Sequence, residues 1–168
     1  MAQTPTPIVR HEIGDFLKIN GTFAPMTKFT EINEEPNAVV SESFYTADKS
    51  ATTDTVGYNT KFSFNGIAHK NDDVTKFIRS IYQEQKTGAD CITEYVRVDY
   101  TRKDTSLETT FYARKFDVSV EVSSEAAAGG EKVAISGNLN GMGTVTVGKF
   151  DTSTLQFTAE PINESPAL

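Results

Sequence analysis

Apolar and polar residues alternate along most of the chain, and this period of two predicts a protein built mainly from β-strands. The first apolar run, Phe16–Ile19, is followed by Asn20-Gly21, a dipeptide typical of two-residue hairpin turns. The pattern predicts a second strand from Phe23 to Ile32. Pro25 falls near its start and indicates a sheet edge or a bulge, because proline has no backbone N–H to donate.

The segment from Ser41 to Asn59, SESFYTADKSATTDTVGYN, interrupts this alternation. Seven of its nineteen residues are Ser or Thr, and its few apolar residues follow no period. Stretches of this length without structure of their own are uncommon in compact domains and are usually either functional or disordered. We therefore predict a long polar loop at about residues 41–59.

One segment, NDDVTKFIRSIYQEQKTG, has the period of an α-helix. Its apolar residues recur at intervals of three and four and form a single stripe, which consists of Val74, Phe77, Ile78, Ile81 and Tyr82. Asn71 or Asp72 can cap the first turn, and Gly88 suits the left-handed residue that ends a helix. The sequence predicts a helix at about residues 72–86.

Strand patterns surround this helix. KFSFNGIAH precedes it, and ITEYVRVDYTR and TTFYARKFDVSVEV follow it. Asn140-Gly141 predicts a tight hairpin turn between two valine-rich strands, and LQFTA predicts a last short strand. Seven or eight strands with one helix predict a mainly β protein, an antiparallel β-sandwich or barrel with one flanking α-helix. We assign one domain to residues 15–160, an extended or mobile N-terminal arm to 1–14 and a C-terminal tail to 161–168.

Charge and cysteine content narrow the class of protein. Lys and Arg number 16 against 23 Asp and Glu, a formal net charge of −7, which argues against a polyanion binder that works by counterion release. The single cysteine, Cys91, is expected to be a structural thiol. It allows no intramolecular disulfide, and no paired-cysteine motif supports a zinc site. No signal-peptide pattern and no membrane-spanning apolar run is predicted.

The candidate chemical groups form no catalytic pattern. His11 and His69 have no neighbouring nucleophile motif and no metal-ligand spacing. The adjacent acids Glu34 and Glu35 would point to opposite faces of a strand, so they do not make a catalytic pair. The sequence therefore predicts a non-enzymatic protein with no cofactor and no metal.

The order of these elements resembles that of the tail tube (major tail) proteins of long-tailed bacteriophages. The resemblance rests on GDFLKINGTFAPMTKFTEI near the start, the segment Ser41–Asn59, the helix KNDDVTKFIRSIYQEQ and the C-terminal GTVTVGKFDTSTLQFTAE. It implies a β-sandwich subunit that assembles into hexameric rings, which stack into a hollow tube for DNA ejection. It also implies a place in the virion, with assembly in the host cytoplasm.

The same resemblance implies roles for particular residues. The predicted loop would contact a neighbouring subunit or ring through Ser41, Phe44, Tyr45, Asp48, Lys49, Asp54, Val56 and Tyr58. The strands beside it, about Phe23–Asn33 and Thr60–His69, would help to form the tube wall. The implied partners are further copies of the chain, the tail tip or initiator proteins, the tape-measure protein and the tail terminator, with no membrane.

The acidic charge has a physical use in such a tube. An acidic wall repels the phosphates of passing DNA, over a screening length of about 8 Å at physiological salt. Glu31, Glu34 and Glu35 are candidates for acids that face the lumen, because they flank the loop. Two other interpretations stay open, the inner tube of a contractile tail or tail-like particle and a small β-sandwich binding module such as a carbohydrate-binding or adhesion domain.

Overall fold

The computed structural model describes residues 3–164, and most of them belong to antiparallel strands. The strands are β1 (Ile13–Ile19), β2 (Thr22–Pro25), β3 (Phe29–Glu35), β4 (Ala38–Ser43), β5 (Thr52–Tyr58), β6 (Lys61–Ile67), β7 (Ile92–Lys103), β8 (Thr110–Ala126), β9 (Ala134–Asp151) and β10 (Gln156–Thr158). Within these residues the one α-helix, α1 (Asp73–Gln83), lies between β6 and β7, and 3₁₀ turns occupy Arg10–Glu12 and Gly88–Cys91. The predicted class, mainly β with one helix, is confirmed.

Eight of the strands form one antiparallel sheet. Seven of them follow the order β2-β1-β7-β8-β9-β6-β3, and β10 pairs with the C-terminal end of β9. The centre of the sheet is formed by β8 and β9, which are 17 and 18 residues long. Within residues 3–164, the strands at its two ends, β2 and β3, each have one edge that pairs with no other strand. β4 and β5 form a separate two-stranded sheet.

The large sheet buries apolar side chains on both of its faces. The larger cluster contains Leu17 from β1 and Ile32 from the far edge strand β3, so the sheet curves around it. The helix covers this cluster with Val74, Ile78 and Ile81. The smaller cluster consists of Phe16, Phe23, Val96, Val98, Ala113 and Phe150. Successive residues of a strand point to opposite faces, which is why Phe16 and Leu17 belong to different clusters.

Three features predicted from short stretches of sequence are present in the structure. Asn20 and Gly21 have φ angles of 50° and 83° and make the two-residue turn between β1 and β2. Pro25 lies on the edge strand β2. The side chain of Asp72 caps the helix by accepting a hydrogen bond of 2.8 Å from the backbone N–H of Thr75.

The helix ends about three residues earlier than predicted. Gln85 takes the left-handed conformation, with a φ of 50°, and the backbone N–H of Lys86 donates to the carbonyl of Ile81 at 2.8 Å. This bond closes the last turn in the way that a C-terminal glycine usually does. Gly88, the residue predicted to end the helix, instead begins the 3₁₀ turn before β7.

The predicted hairpin turn at Asn140-Gly141 is wrong, because β9 passes through it as one continuous strand. The backbone N–H of Gly141 donates to the carbonyl of Thr60 at 2.8 Å, and a Cβ at this position would lie 2.7 Å from that oxygen. Just beyond, residues 143–145 of β9 lie opposite the single residue Phe116 of β8. Gly141 therefore allows the close contact with Thr60, and Gly143 lies in a β-bulge.

Two predicted boundaries also differ. The predicted second strand is two strands, β2 and β3. Met26, between them, is buried in the larger cluster, and its N–H bonds the carbonyl of Asp15 at 2.9 Å. The sheet begins at Ile13, so the end of the predicted arm belongs to β1. Residues 1–2 of that arm and 165–168 of the predicted tail lie outside the described residues.

Candidate assembly surfaces

The segment predicted to be a polar loop is a β-hairpin. β4 and β5 pair with each other from Ala38 opposite Tyr58 to Ser43 opposite Thr52. Threonine and valine, which favour strands, occupy most of β5. The hairpin escaped prediction because both of its faces are exposed. A period of two appears in a sequence only where one face of a strand is buried.

The hairpin continues the β3–β6 strand pair beyond the end of the large sheet. Its base is held by the backbone N–H of Asn59, which donates to the carbonyl of Asn37 at 3.1 Å. The Asn37 side chain also donates to the carbonyls of Glu35 and Asn59. Among the described residues, β4 and β5 pair with no other strand, so the hairpin projects from the body.

The hairpin exposes several large apolar side chains to solvent. Phe44, Tyr45, Val56 and Tyr58 are each more than 60% exposed, and Val40 is nearly as open. Contiguous exposed apolar side chains usually mark an interaction surface. The structure brings the eight predicted contact residues together on this hairpin, with Ser41 on β4, Phe44, Tyr45, Asp48 and Lys49 in the connection, and Asp54, Val56 and Tyr58 on β5. Sequence reasoning missed Val39 and Val40.

The outer face of β3, β6, β9 and β8 is polar, and we call it the polar face. It lies opposite the larger apolar cluster, because its residues alternate with buried ones. Cross-strand pairing arranges these side chains in rows, with Glu35, Lys61, Asn140 and Ser119 in one row, Asn33, Ser63, Asn138 and Glu121 in the next, and Glu31, Asn65 and Ser136 in the third. The surface carries short polar groups and no large apolar side chain in these rows.

Hydrogen bonds fix the acids of the polar face. Glu31 accepts hydrogen bonds from the side-chain amides of Asn33 and Asn65. Glu35 accepts one from the hydroxyl of Ser63 and lies 3.2 Å from the ammonium of Lys61. Two of the three acids predicted to face a lumen are therefore on one surface.

Glu34, the third predicted acid, lies on the other face of β3. Its carboxylate accepts two hydrogen bonds of 2.7 Å from the Arg114 guanidinium, and Arg97 is 3.8 Å away. Burial raises the pKa of Glu34, but the hydrogen bonds and charge of Arg114, together with the charge of Arg97, outweigh it, so the pKa lies below its ordinary value of 4.5. This ion pair links β3 to β8 across the interior. Glu34 is not an acid of the polar face.

The Glu34 ion pair gives a pH-dependent contribution to stability. Because the pKa is lowered by folding, the contribution is complete above pH 4.5 and is lost as the pH falls through the lowered pKa. Replacing Glu34 with Gln should reduce the free energy of unfolding at pH 7 by about 2 kcal/mol, since it leaves the Arg114 charge without its carboxylate. Denaturant unfolding at a series of pH values should show this difference shrink below pH 4.5. The matched control, E42Q on the exposed hairpin, should change stability little, and an equal loss in both variants would contradict the assignment.

A second buried polar group holds β1 against β7. The Tyr95 hydroxyl donates to the Asp15 carboxylate, which also lies near Arg10 and Arg97. Burial, and then the negative charge of Asp15, raise the pKa of Tyr95 well above its usual range. Asp15 and Tyr95 are buried, so their hydrogen bond joins the two strands inside the protein.

The predicted chemical residues lie apart from one another. His69 follows β6, and its Nδ1 lies 2.7 Å from the carbonyl of Ile67. Cys91 is buried, and its thiol donates to the carbonyl of Lys86. Within residues 3–164, no group of three or more His, Cys, Asp or Glu side chains is placed to hold a metal ion. In the same range, no helix has the length and apolar character needed to cross a membrane.

The protein resembles known proteins in its structure and not in its sequence. No family model matches the sequence, and no curated protein matches it. The fold is similar to the tail of an empty gene transfer agent particle with C6 symmetry, at 10% identity and a TM-score of 0.61 over 83% of this chain and 97% of that chain. A native gene transfer agent virion gives 10% identity and a TM-score of 0.61 over 84% and 98%. The SPP1 tail tube gives 16% identity and a TM-score of 0.61 over 82% and 77%. The predicted fold is thus confirmed as one found in tail tubes.

Proposed function

We propose that the protein is the structural subunit of a phage tail tube, which assembles into hexameric rings stacked around a channel for DNA ejection. The observation that carries the proposal is the shared fold, which covers more than four fifths of this chain in a tail with six-fold symmetry. On this proposal the protein is a component of the virion and not an enzyme. It is assembled in the host cytoplasm.

The unpaired strand edges support assembly. β2 and β3 end the large sheet on its two sides, and each has an edge whose backbone groups pair with no other strand in the described part of the chain. Strands of neighbouring subunits can pair with such edges, and a head-to-tail contact of this kind closes into a ring when its rotation fits. The same sheet then becomes part of a wall shared by all subunits of the ring.

The polar face supports the assignment of a lumen. Glu31 and Glu35 present negative charge on it, and Asn33, Asn65 and Ser63 donate hydrogen bonds to these two acids. A surface with this chemistry repels phosphate and offers no aromatic group on which a base could stack. DNA would pass along it without specific binding.

A tube of stacked rings requires further proteins to begin it, to fill its lumen during assembly and to end it. The tail tip or initiator proteins would nucleate the first ring, the tape-measure protein would occupy the growing lumen, and the tail terminator would close the last ring. The projecting hairpin fits contact with further copies of the chain, because its apolar side chains have no partner within the described part of one subunit.

Electron microscopy of the purified protein tests the proposal. We expect negative-stain images of concentrated protein, alone or with tail-tip proteins, to show hollow tubes whose end views have six-fold symmetry. A monomer that persists in both conditions would contradict the proposed function. A binding module would instead remain monomeric and bind a ligand saturably.

A further inference from the structure

The chain contains the dipeptide Asn-Gly three times, at Asn20-Gly21, Asn65-Gly66 and Asn140-Gly141. Asparagine is chemically labile before glycine, because glycine has no side chain to hinder attack by its own backbone nitrogen on the asparagine side chain. The two groups must meet, so the backbone at the dipeptide must be free to turn. The fold gives the three dipeptides different surroundings, and these decide which of them can react.

The turn at Asn20-Gly21 is open to solvent. Both residues are exposed at the end of the β1–β2 hairpin. The ladder between the two strands ends at the pair Ile19 and Thr22, so it does not include the turn residues. In the described part of the chain, no heavy atom other than those of its chain neighbours lies within 4 Å of the position that a Cβ of Gly21 would take. The backbone of Gly21 can therefore rotate toward the Asn20 side chain without breaking a strand pair.

The dipeptide Asn65-Gly66 is held inside the large sheet. Its strand, β6, pairs with β3 on one side and with β9 on the other. Gly66 is buried, and a Cβ at this position would lie 2.8 Å from the ring of Phe29. The side-chain amide of Asn65 donates to the carboxylate of Glu31 at 3.1 Å. Rotation of the backbone at this dipeptide requires the sheet to open.

The dipeptide Asn140-Gly141 is held in the same way. The N–H of Gly141 contains the nitrogen that would attack, and it already donates to the carbonyl of Thr60 at 2.8 Å. The side-chain amide of Asn140 donates to the carboxylate of Glu121 at 2.9 Å. β9 also pairs here with β6 and β8 on its two sides. Both groups that the reaction needs are therefore engaged in the sheet.

We propose that Asn20 is a site of spontaneous deamidation in the folded protein, and that the sheet protects Asn65 and Asn140 from the same reaction. The backbone nitrogen of Gly21 loses its proton to water and forms a bond to Cγ of Asn20. The bond from Cγ to Nδ2 breaks, and the leaving amide takes up a proton from water and departs as ammonia. Water then opens the succinimide ring at either of its carbonyls, which gives aspartate or isoaspartate.

Both products change the turn that leads into β2. Each carries a negative charge that Asn20 lacks, and isoaspartate adds one carbon to the backbone of the turn. The longer turn no longer matches the spacing of the pair Ile19 and Thr22, so the pairing of β2 with β1 weakens. β2 has only four residues and lies at the edge of the sheet, so few other bonds retain it. This inference does not depend on the proposed function.

Peptide mapping of stored protein tests the proposal. Trypsin cleaves after lysine and places the three dipeptides on separate peptides, residues 19–28, 62–70 and 133–149. Deamidation raises the mass of a peptide by the difference between a hydroxyl and an amino group. After storage of the folded protein in mildly alkaline buffer, we expect Asn20 to have reacted about tenfold faster than Asn65 and Asn140, or more, because the strand sites react only when the sheet opens locally. In denaturant, all three sites should react at similar rates.

The variant Asn20→Gly is the matched control, because glycine readily adopts the positive φ of 50° that this position has. The variant should show no mass change in residues 19–28 and the same slow reaction in the other two peptides. Storage should lower the midpoint of thermal unfolding of the original protein and leave that of the variant unchanged. Equal rates at the three sites in the folded protein, or an Asn20 that reacts as slowly as the two strand sites, would overturn the proposal.

Discussion

Deleting the hairpin should leave a folded protein that no longer forms tubes. Residues 38–58 can be replaced by an Asn-Gly turn that joins Asn37 to Asn59, whose backbones are already hydrogen bonded. No residue of either apolar cluster lies in the deleted segment. We therefore expect the free energy of unfolding to change by less than about 0.5 kcal/mol. Tube formation should be lost, because the proposed contact surface is removed.

The deletion is checked by thermal unfolding and electron microscopy of the same sample. A second variant, in which a two-residue turn replaces only residues 44–51, keeps β4 and β5 and removes the tip. We expect this variant to fold and to form no tubes. Normal tubes from the full deletion would refute the role of the hairpin, and an unfolded deletion variant would show that the hairpin supports the body.

If the protein forms the proposed tube, reversing the charge of the polar face should give a channel that holds DNA. The variant Glu31→Lys, Glu35→Lys, Glu121→Lys replaces exposed or half-exposed acids of that face with ammonium groups. Positive groups along a wall bind phosphate by counterion release, so affinity should fall steeply with added salt. We expect tubes of this variant to bind DNA at 50 mM salt, where tubes of the original protein bind none.

Nuclease digestion distinguishes the lumen from the outside of the tube. DNA held by the polar-face variant should resist digestion, because the wall encloses it. The control Glu84→Lys, Glu108→Lys, Glu160→Lys reverses three exposed acids elsewhere, and any DNA that it binds should be digested. Full digestion with the polar-face variant would contradict the assignment of the polar face to the lumen.

The sequence correctly predicted the elements whose formation depends only on neighbouring residues. The stripe of α1 and the cap at Asp72 require only neighbouring residues, and so does the turn at Asn20-Gly21. Asn140-Gly141 carries the same turn signal, yet β9 continues there because β6 and β8 pair with it on either side. The outcome at such a dipeptide depends on partners distant in the sequence.

The assembly surfaces were predictable in part. The segment was predicted to be a contact segment from its lack of core residues and from the resemblance, and this stays a prediction. Its strands were missed because both of their faces are exposed. Glu34 and Glu35 differ in role because register places Glu34 opposite Phe62, on the interior side, and Glu35 opposite Lys61. The sequence alone does not show which of two consecutive acids faces the interior, because this depends on which face of the strand is buried.

The two long central strands couple the two apolar clusters. β8 contributes Val118 to the larger apolar cluster and Ala113 to the smaller one, and β9 contributes Leu139 and Phe150 in the same way. Neither layer can separate without breaking the backbone ladder that supports the other. Both clusters therefore depend on the same two strands, so we expect them to unfold together in a single cooperative transition.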